Sequence, residues 1–184
     1  MKNIKGSLPN VLTSINMSLG VIAILFAVNS GENLNMIYAA SILIIVAALT
    51  DRFDGKVARM LDCTSELGKE LDSLADLISF GLAPAIITWK ICFMSIGIPG
   101  YIVTLIYPIA GAYRLARFNV TTFDKYYRGI PITIAGAFLS LDNLYNCFVL
   151  INNGKLSNGH IVGAALLVVC LSYFMVSRIR IKKI

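Results

Sequence analysis

Six apolar runs, starting near residues 8, 36, 66, 101, 131 and 159, divide this 184-residue sequence and dictate most of what it can become. A run of about 20 apolar residues, rising about 1.5 Å per residue as a helix, crosses the roughly 30 Å hydrocarbon core of a bilayer. The chain is 57% hydrophobic and only 14% charged, too apolar for an ordinary soluble domain. The sequence therefore predicts an all-α, polytopic membrane protein. Its length suggests a single domain over residues 1–184.

The first run, about 8–28, follows a short basic start containing Lys2 and Lys5. It is long and has no obvious small-residue cleavage site, so it reads as a retained helix rather than a signal peptide. A polar turn over 29–35 precedes the second run. Met36 to Leu49 is too short to span alone, but a helix continued through Asp51 to Leu61 projects beyond the bilayer. The third segment runs from Glu66 to about Met94, with Pro84 predicting a kink or local unwinding. The fourth covers Tyr101 to about Arg117, the fifth about 131–150 and the sixth about 159–177. Six crossings put both termini on one side.

Charge orients this bundle. Of 16 basic residues, only Lys90 and Lys155 fall on the side opposite the termini. Positively charged loops stay cytoplasmic, so the termini and the 50–70 and 114–128 regions are expected at the cytoplasmic face of the cell membrane. The net charge of +6 fits an anionic lipid surface better than nucleic acid, because basic patches interleaved with aromatics are missing.

The acidic residues are distributed very differently. Asp51, Asp54, Asp62, Glu66, Glu70, Asp72 and Asp76 are seven of the ten in the chain. Carboxylates beside hydrocarbon are costly and mark a site with a partner. At about 100° per residue, Asp51, Asp54, Ala58 and Asp62 share one helix face, while Gly68, Asp72 and Asp76 follow one another by four on the next. Asp-Cys-Thr-Ser at 62–65 predicts a turn between them, with Thr64 or Ser65 as N-cap of the following helix. Convergent carboxylates without matching His or Cys suit a hard divalent cation, Mg2+, Mn2+ or Ca2+. Such ions usually act on phosphates. Gly55 and Gly68 leave room for a ligand against backbone, and Arg59 can fork onto a phosphate.

The spacing D-x2-D-G-x2-A-R-x8-G-x3-D-x3-D, filled by Asp51, Asp54, Gly55, Ala58, Arg59, Gly68, Asp72 and Asp76, resembles the signature of the CDP-alcohol phosphotransferase family. All eight positions match. The resemblance implies transfer of a phosphoryl-linked group from a CDP-activated lipid or alcohol to an acceptor hydroxyl, with release of CMP. It implies metal held by Asp51, Asp54, Asp72 and Asp76, with two Mg2+ or Mn2+ ions expected and Ca2+ as a non-productive occupant. It makes Asp76 the base. It also places CDP against Asp51, Asp54, Gly55, Ala58, Arg59 and Gly68, with Asn10 and Thr13 of the Pro9-Asn10-x-x-Thr13 stretch near the nucleotide. Asn10, Thr13 and Asn16 share a helix face, and ordinary capping or helix-to-helix hydrogen bonding is an equal reading of them.

Arg114, Arg117 and Asn119, followed by Lys125-Tyr-Tyr-Arg128-Gly-Ile-Pro131, resemble the branch of the family that makes phosphatidylserine. A serine carboxylate would suit a bidentate arginine, whereas lipid headgroups would equally attract one. The implied activity is CDP-diacylglycerol or CDP-archaeol: L-serine phosphatidyltransferase. Phosphatidylglycerophosphate and phosphatidylinositol-phosphate synthases share the motif and differ in the acceptor pocket. A homodimer is expected from the family, with small residues such as Gly111-Ala112 suited to close helix packing. An ion or solute transporter would also place acids within a bundle, but no second copy of the acidic motif suggests an internal repeat. Cys63, Cys92, Cys147 and Cys170 are scattered and read as structural filler, and His160, the sole histidine, as a helix-end residue.

Overall fold

Helix α1 spans Lys2–Asn29 and turns through Gly31, whose φ of +53° is left-handed, into α2, Leu34–Met60. These and the elements below come from a computed structural model that describes residues 2–60, 65–120, 126–177 and 180–182, with side chains over 10–52, 65–120 and 129–177. Helix α1 starts before the expected residue 8 and contains Pro9, but its membrane-length apolar part begins at Asn10. Helix α2 runs past Leu49 as its charge pattern required. The expected turn at 62–65 lies outside the described residues except for Ser65. That residue caps α3, Glu66–Asp76, its Oγ accepting from the Gly68 amide at 3.0 Å.

Past Asp76 the third segment stops being a regular α-helix. Pro84 has no N–H to offer the Phe80 carbonyl, so an unbroken α-helical ladder cannot pass this point. The Ala83 amide bonds instead to Ile78 O, five residues back, and Leu77–Leu82 form a wider π turn. Helix α4, Ala83–Thr88, a second π turn at Trp89–Phe93 and a 3-10 turn at Met94–Ile96 complete the segment. Thr88 Oγ1 lies 2.8 Å from Pro84 O and 2.9 Å from Asn143 Oδ1, and Asn143 Nδ2 donates to the same Pro84 carbonyl at 3.1 Å. Both side chains are fully buried, so the irregular backbone is anchored by polar groups that have found partners.

Two glycines let neighbouring helices close on the first π turn. A Cβ on Gly20 of α1 would stand 2.7 Å from Ser79 Cα, and one on Gly136 would stand 2.9 Å from Phe80 Cα and Phe80 O. Gly136 belongs to α6, Ile132–Asn153. Helix α5, Ile98–Val120, packs Gly111 against Ile132, where a Cβ would come within 2.6 Å of Cδ1. The Gly111 contact expected to serve close packing is thus made within the chain. Helix α7, Asn158–Val176, begins beside His160, whose Nδ1 is 2.7 Å from Ser157 Oγ, as a helix-end histidine would be. Cys92 and Cys147 are buried in the apolar core.

Apart from one short strand pair the described chain is helical. Strand β1, Tyr126–Arg128, pairs antiparallel with β2, Arg180–Lys182, with Tyr127 opposite Ile181. Gly129, at φ +80°, presses against Met175 O, and Ile130 N donates to Phe174 O at 3.2 Å. The chain entering α6 is therefore laid across the end of α7.

Among the described residues five segments are long and apolar enough to cross a membrane: Asn10–Asn29, Leu34–Arg52, Glu66–Ile96, Ile132–Asn153 and Asn158–Val176. Helix α5 has the length, 23 residues or about 35 Å, but Pro99, Pro108, three tyrosines, Arg114 and Arg117 dilute its apolar character.

Candidate active site

Asp51 projects from α2, and Asp72 and Asp76 stand one turn apart on α3. One carboxylate oxygen from each lies within 4.8 Å of the other two. Asp51 of the first predicted acidic face therefore does meet Asp72 and Asp76 of the second. All three residues are half-buried, and Asp76 Oδ1 is fully enclosed without a hydrogen-bond partner. Three carboxyl groups so close cannot all be ionised without positive charge among them, because Coulomb repulsion at this range is large in a weakly polar interior. Part of that charge comes from Arg114, buried on α5, whose guanidinium interacts electrostatically with Asp76.

The oxygen-only donor set fits a hard divalent cation, and an unpartnered buried carboxylate oxygen is what such a site leaves for the ion to satisfy. Among the described residues no other group of three His, Cys, Asp or Glu side chains converges in this way. Asp54, Gly55, Ala58 and Arg59 lie on the same helix as Asp51, within about two turns of it, but their side chains are outside the described set. Asp62 is outside the described residues altogether.

Gly68 and Asn10, both expected beside the nucleotide, are neighbours across α1 and α3. The space a Gly68 Cβ would occupy is 3.1 Å from Asn10 Oδ1 and 3.0 Å from Ser65 Oγ. Thr13, one turn along α1, is buried. Thus the first helix forms one wall against the N-terminal turn of α3.

The three expected acceptor residues separate. Arg114 faces the cluster. Arg117 reaches the C-terminal end of α7, its Nη1 donating to Val176 O at 2.8 Å and its Nη2 to Met175 O and Ser177 O at 3.4 Å, with the guanidinium 5.7 Å from the Tyr113 ring. These are the helix-end carbonyls that have no partner within the helix. Asn119 closes on α3, its Nδ2 within 3.1 Å of both Glu70 carboxylate oxygens and of Ser73 Oγ. Lys69 Nζ adds a 3.4 Å bond to Asn119 O and sits 5.8 Å from the Phe118 ring.

Sequence reasoning missed Thr133. Its Oγ1 donates to Asp51 Oδ2 at 3.3 Å from the first turn of α6, tying a third element to the cluster. The available signal was slight: a hydroxyl two residues past Pro131, where a helix was expected to begin.

Comparison with known proteins sharpens this geometry into a family. A model of the CDP-alcohol phosphatidyltransferase family matches residues 6–176. The chain is 38% identical over 179 residues to the CDP-diacylglycerol--serine O-phosphatidyltransferase of Helicobacter pylori strain J99, covering 94% of this chain and 70% of that protein. The Bacillus subtilis protein of the same name is 34% identical over 146 residues, 78% of this chain and 75% of its own length. The archaetidylserine synthase of Methanothermobacter thermautotrophicus is 39% identical over 140 residues, 73% of this chain and 56% of that protein. With a matching family model over nearly its whole length and three aspartates of the motif gathered at one point, the chain belongs to the CDP-alcohol phosphatidyltransferases.

Proposed function

We propose that this chain transfers the phosphatidyl group of CDP-diacylglycerol, or the corresponding group of CDP-archaeol, to the hydroxyl of L-serine and releases CMP. The observation that carries the reading is the meeting of Asp51, Asp72 and Asp76 beside the buried Arg114. The names of the relatives from Helicobacter, Bacillus and Methanothermobacter favour serine among acceptors. The reaction is placed at the cytoplasmic face of the cell membrane, with six crossings, α5 included, and both termini on that side. A homodimer is proposed as the working unit.

In this mechanism the serine hydroxyl oxygen attacks the phosphorus that bears the lipid. The bond from that phosphorus to the bridging oxygen breaks, CMP leaves with the electron pair, and Asp76 accepts the hydroxyl proton. Asp51, Asp54, Asp72 and Asp76 would hold Mg2+ or Mn2+, two ions in all, which supply positive charge against the pyrophosphate and the leaving CMP. The Asn10 and Thr13 wall, with Gly55, Ala58, Arg59 and Gly68, holds the cytidine and its phosphates. Arg114 takes the serine carboxylate. Asn119 keeps α3 and α5 together at the acceptor side, and Arg117 fixes the α7 end that borders it.

Membranes containing the protein, supplied with CDP-diacylglycerol and with serine, glycerol 3-phosphate or inositol in turn, test this directly. Fastest CMP release with serine is expected, abolished by chelator and restored by Mg2+ or Mn2+. Faster turnover with either other alcohol would remove serine, and CMP release indifferent to chelator would remove the metal.

A further inference from the structure

Asn16 lies in the middle of α1 with no exposed surface, and neither Nδ2 nor Oδ1 of its side chain has a hydrogen-bond partner. A buried carboxamide with both ends unsatisfied is destabilising, and native interiors rarely retain one without a reason. Its position supplies a reason. Helix α1 runs parallel to α3 and the π turn that continues it: Asn10 meets Gly68 of α3 at one end, while at the other Gly20 meets Ser79 of the π turn and Ser79 Oγ donates to the Asn16 carbonyl at 2.9 Å. Counting back three residues from the Gly20 and Ser79 contact reaches Met17 on one helix and Asp76 on the other. Asn16 is one residue from that level, about 1.5 Å along the axis. Helical side chains lean toward the N-terminus, so on parallel helices both lean the same way and stay level.

By helical register the same layer holds an unused donor, Asn16 Nδ2, and the enclosed Asp76 Oδ1, whose two lone pairs let it accept from an amide as well as meet a cation. We propose that Asn16 is a positioning residue for Asp76. During turnover its Nδ2 donates to Asp76 Oδ1, directly or through one water, and this fixes which carboxylate oxygen faces the acceptor hydroxyl. Asn16 touches neither substrate. The inference rests on the reading of Asp76 as the proton acceptor. It extends that reading from the motif on α2 and α3 to a residue outside it.

Asn16→Leu keeps the size and removes the unsatisfied polar atoms, so a purely structural role and a positioning role part company. The expected result is a melting temperature in detergent equal to or above that of the parent and CDP affinity, measured with Mn2+, within twofold. KM for serine should change less than threefold, while kcat falls at least tenfold. Asn16→Ser, which keeps a small hydroxyl donor, should recover part of that kcat. Turnover of Asn16→Leu within threefold of the parent would overturn the proposal, as would equal losses of kcat and melting temperature in both variants. Asp76→Asn separates the two ideas: if it stays active, the reading of Asp76 fails, whereas an inactive Asp76→Asn beside a fully active Asn16→Leu defeats the positioning role alone.

Discussion

Asn10 Oδ1 stands 3.1 Å from the point that a β-carbon on Gly68 would fill, so the glycine and the amide on neighbouring helices define one another's space. Gly68 is in the first turn of α3, and an alanine there suits the helix by propensity. The added methyl must nonetheless displace Asn10 or the capping Ser65 hydroxyl. Gly68→Ala is expected to leave the fold intact and weaken CDP-lipid binding by about tenfold, about 1.4 kcal/mol. Titration with CDP in Mn2+ measures it. Affinity unchanged within twofold would mean that the nucleotide does not use this wall.

Asp76 and Asp72 should fail in different ways although they are one turn apart. Asp76→Asn keeps the shape and removes the proposed proton acceptor, so turnover should fall by at least a thousandfold, about 4 kcal/mol of transition-state stabilisation. CDP-lipid binding should largely persist. Asp72→Asn and Asp51→Asn should each raise the Mn2+ concentration needed for half-maximal CMP release. Turnover of Asp76→Asn within threefold of the parent would exclude it as the base.

How far the sequence foretold this site depends on which physical signal carried each part. The Asp72 and Asp76 spacing and the Asp51 face are helical periodicities, local in the chain, and their convergence needed only a turn between consecutive helices. The N-cap at Ser65 was legible for the same reason. The π turn after Asp76 was foreshadowed only by Pro84, because loss of one amide predicts a disruption but not its form. Arg114 and Arg117 looked equivalent at three residues apart. Their different partners, Asp76 about 40 residues before one and the end of α7 about 60 residues after the other, arise from packing between distant segments, which no local pattern encodes. Thr133 and the orphaned Asn16 were invisible or ambiguous on the same ground.

Thr133 gives a graded test of the contact between α6 and the cluster. Its hydrogen bond to Asp51 is long at 3.3 Å, so the low end of the usual net range, about 0.5 to 1 kcal/mol, is appropriate. Thr133→Val keeps the branched shape and should slow turnover by about two- to fivefold, with little change in melting temperature. Steady-state kinetics with saturating serine would show it. A hundredfold loss would mean that the hydroxyl contacts substrate as well as Asp51.

The two arginines of α5 provide the sharpest separation of chemistry from architecture. Arg114 is buried near Asp76, and a lysine there keeps the charge but loses the fork that grips a carboxylate. Arg114→Lys should raise KM for serine by about ten- to a hundredfold while KM for CDP-diacylglycerol stays within threefold. Arg117 donates to three carbonyls at the end of α7, where the strand pair and Gly129 also meet. Removing a charged donor from such a cap costs about 1 to 3 kcal/mol. Arg117→Ala should therefore lower the melting temperature in detergent by several degrees and leave KM for serine within threefold. The opposite outcome, a stable Arg117→Ala with a large rise in serine KM, would move the acceptor pocket from the α3 side of α5 to the α7 side.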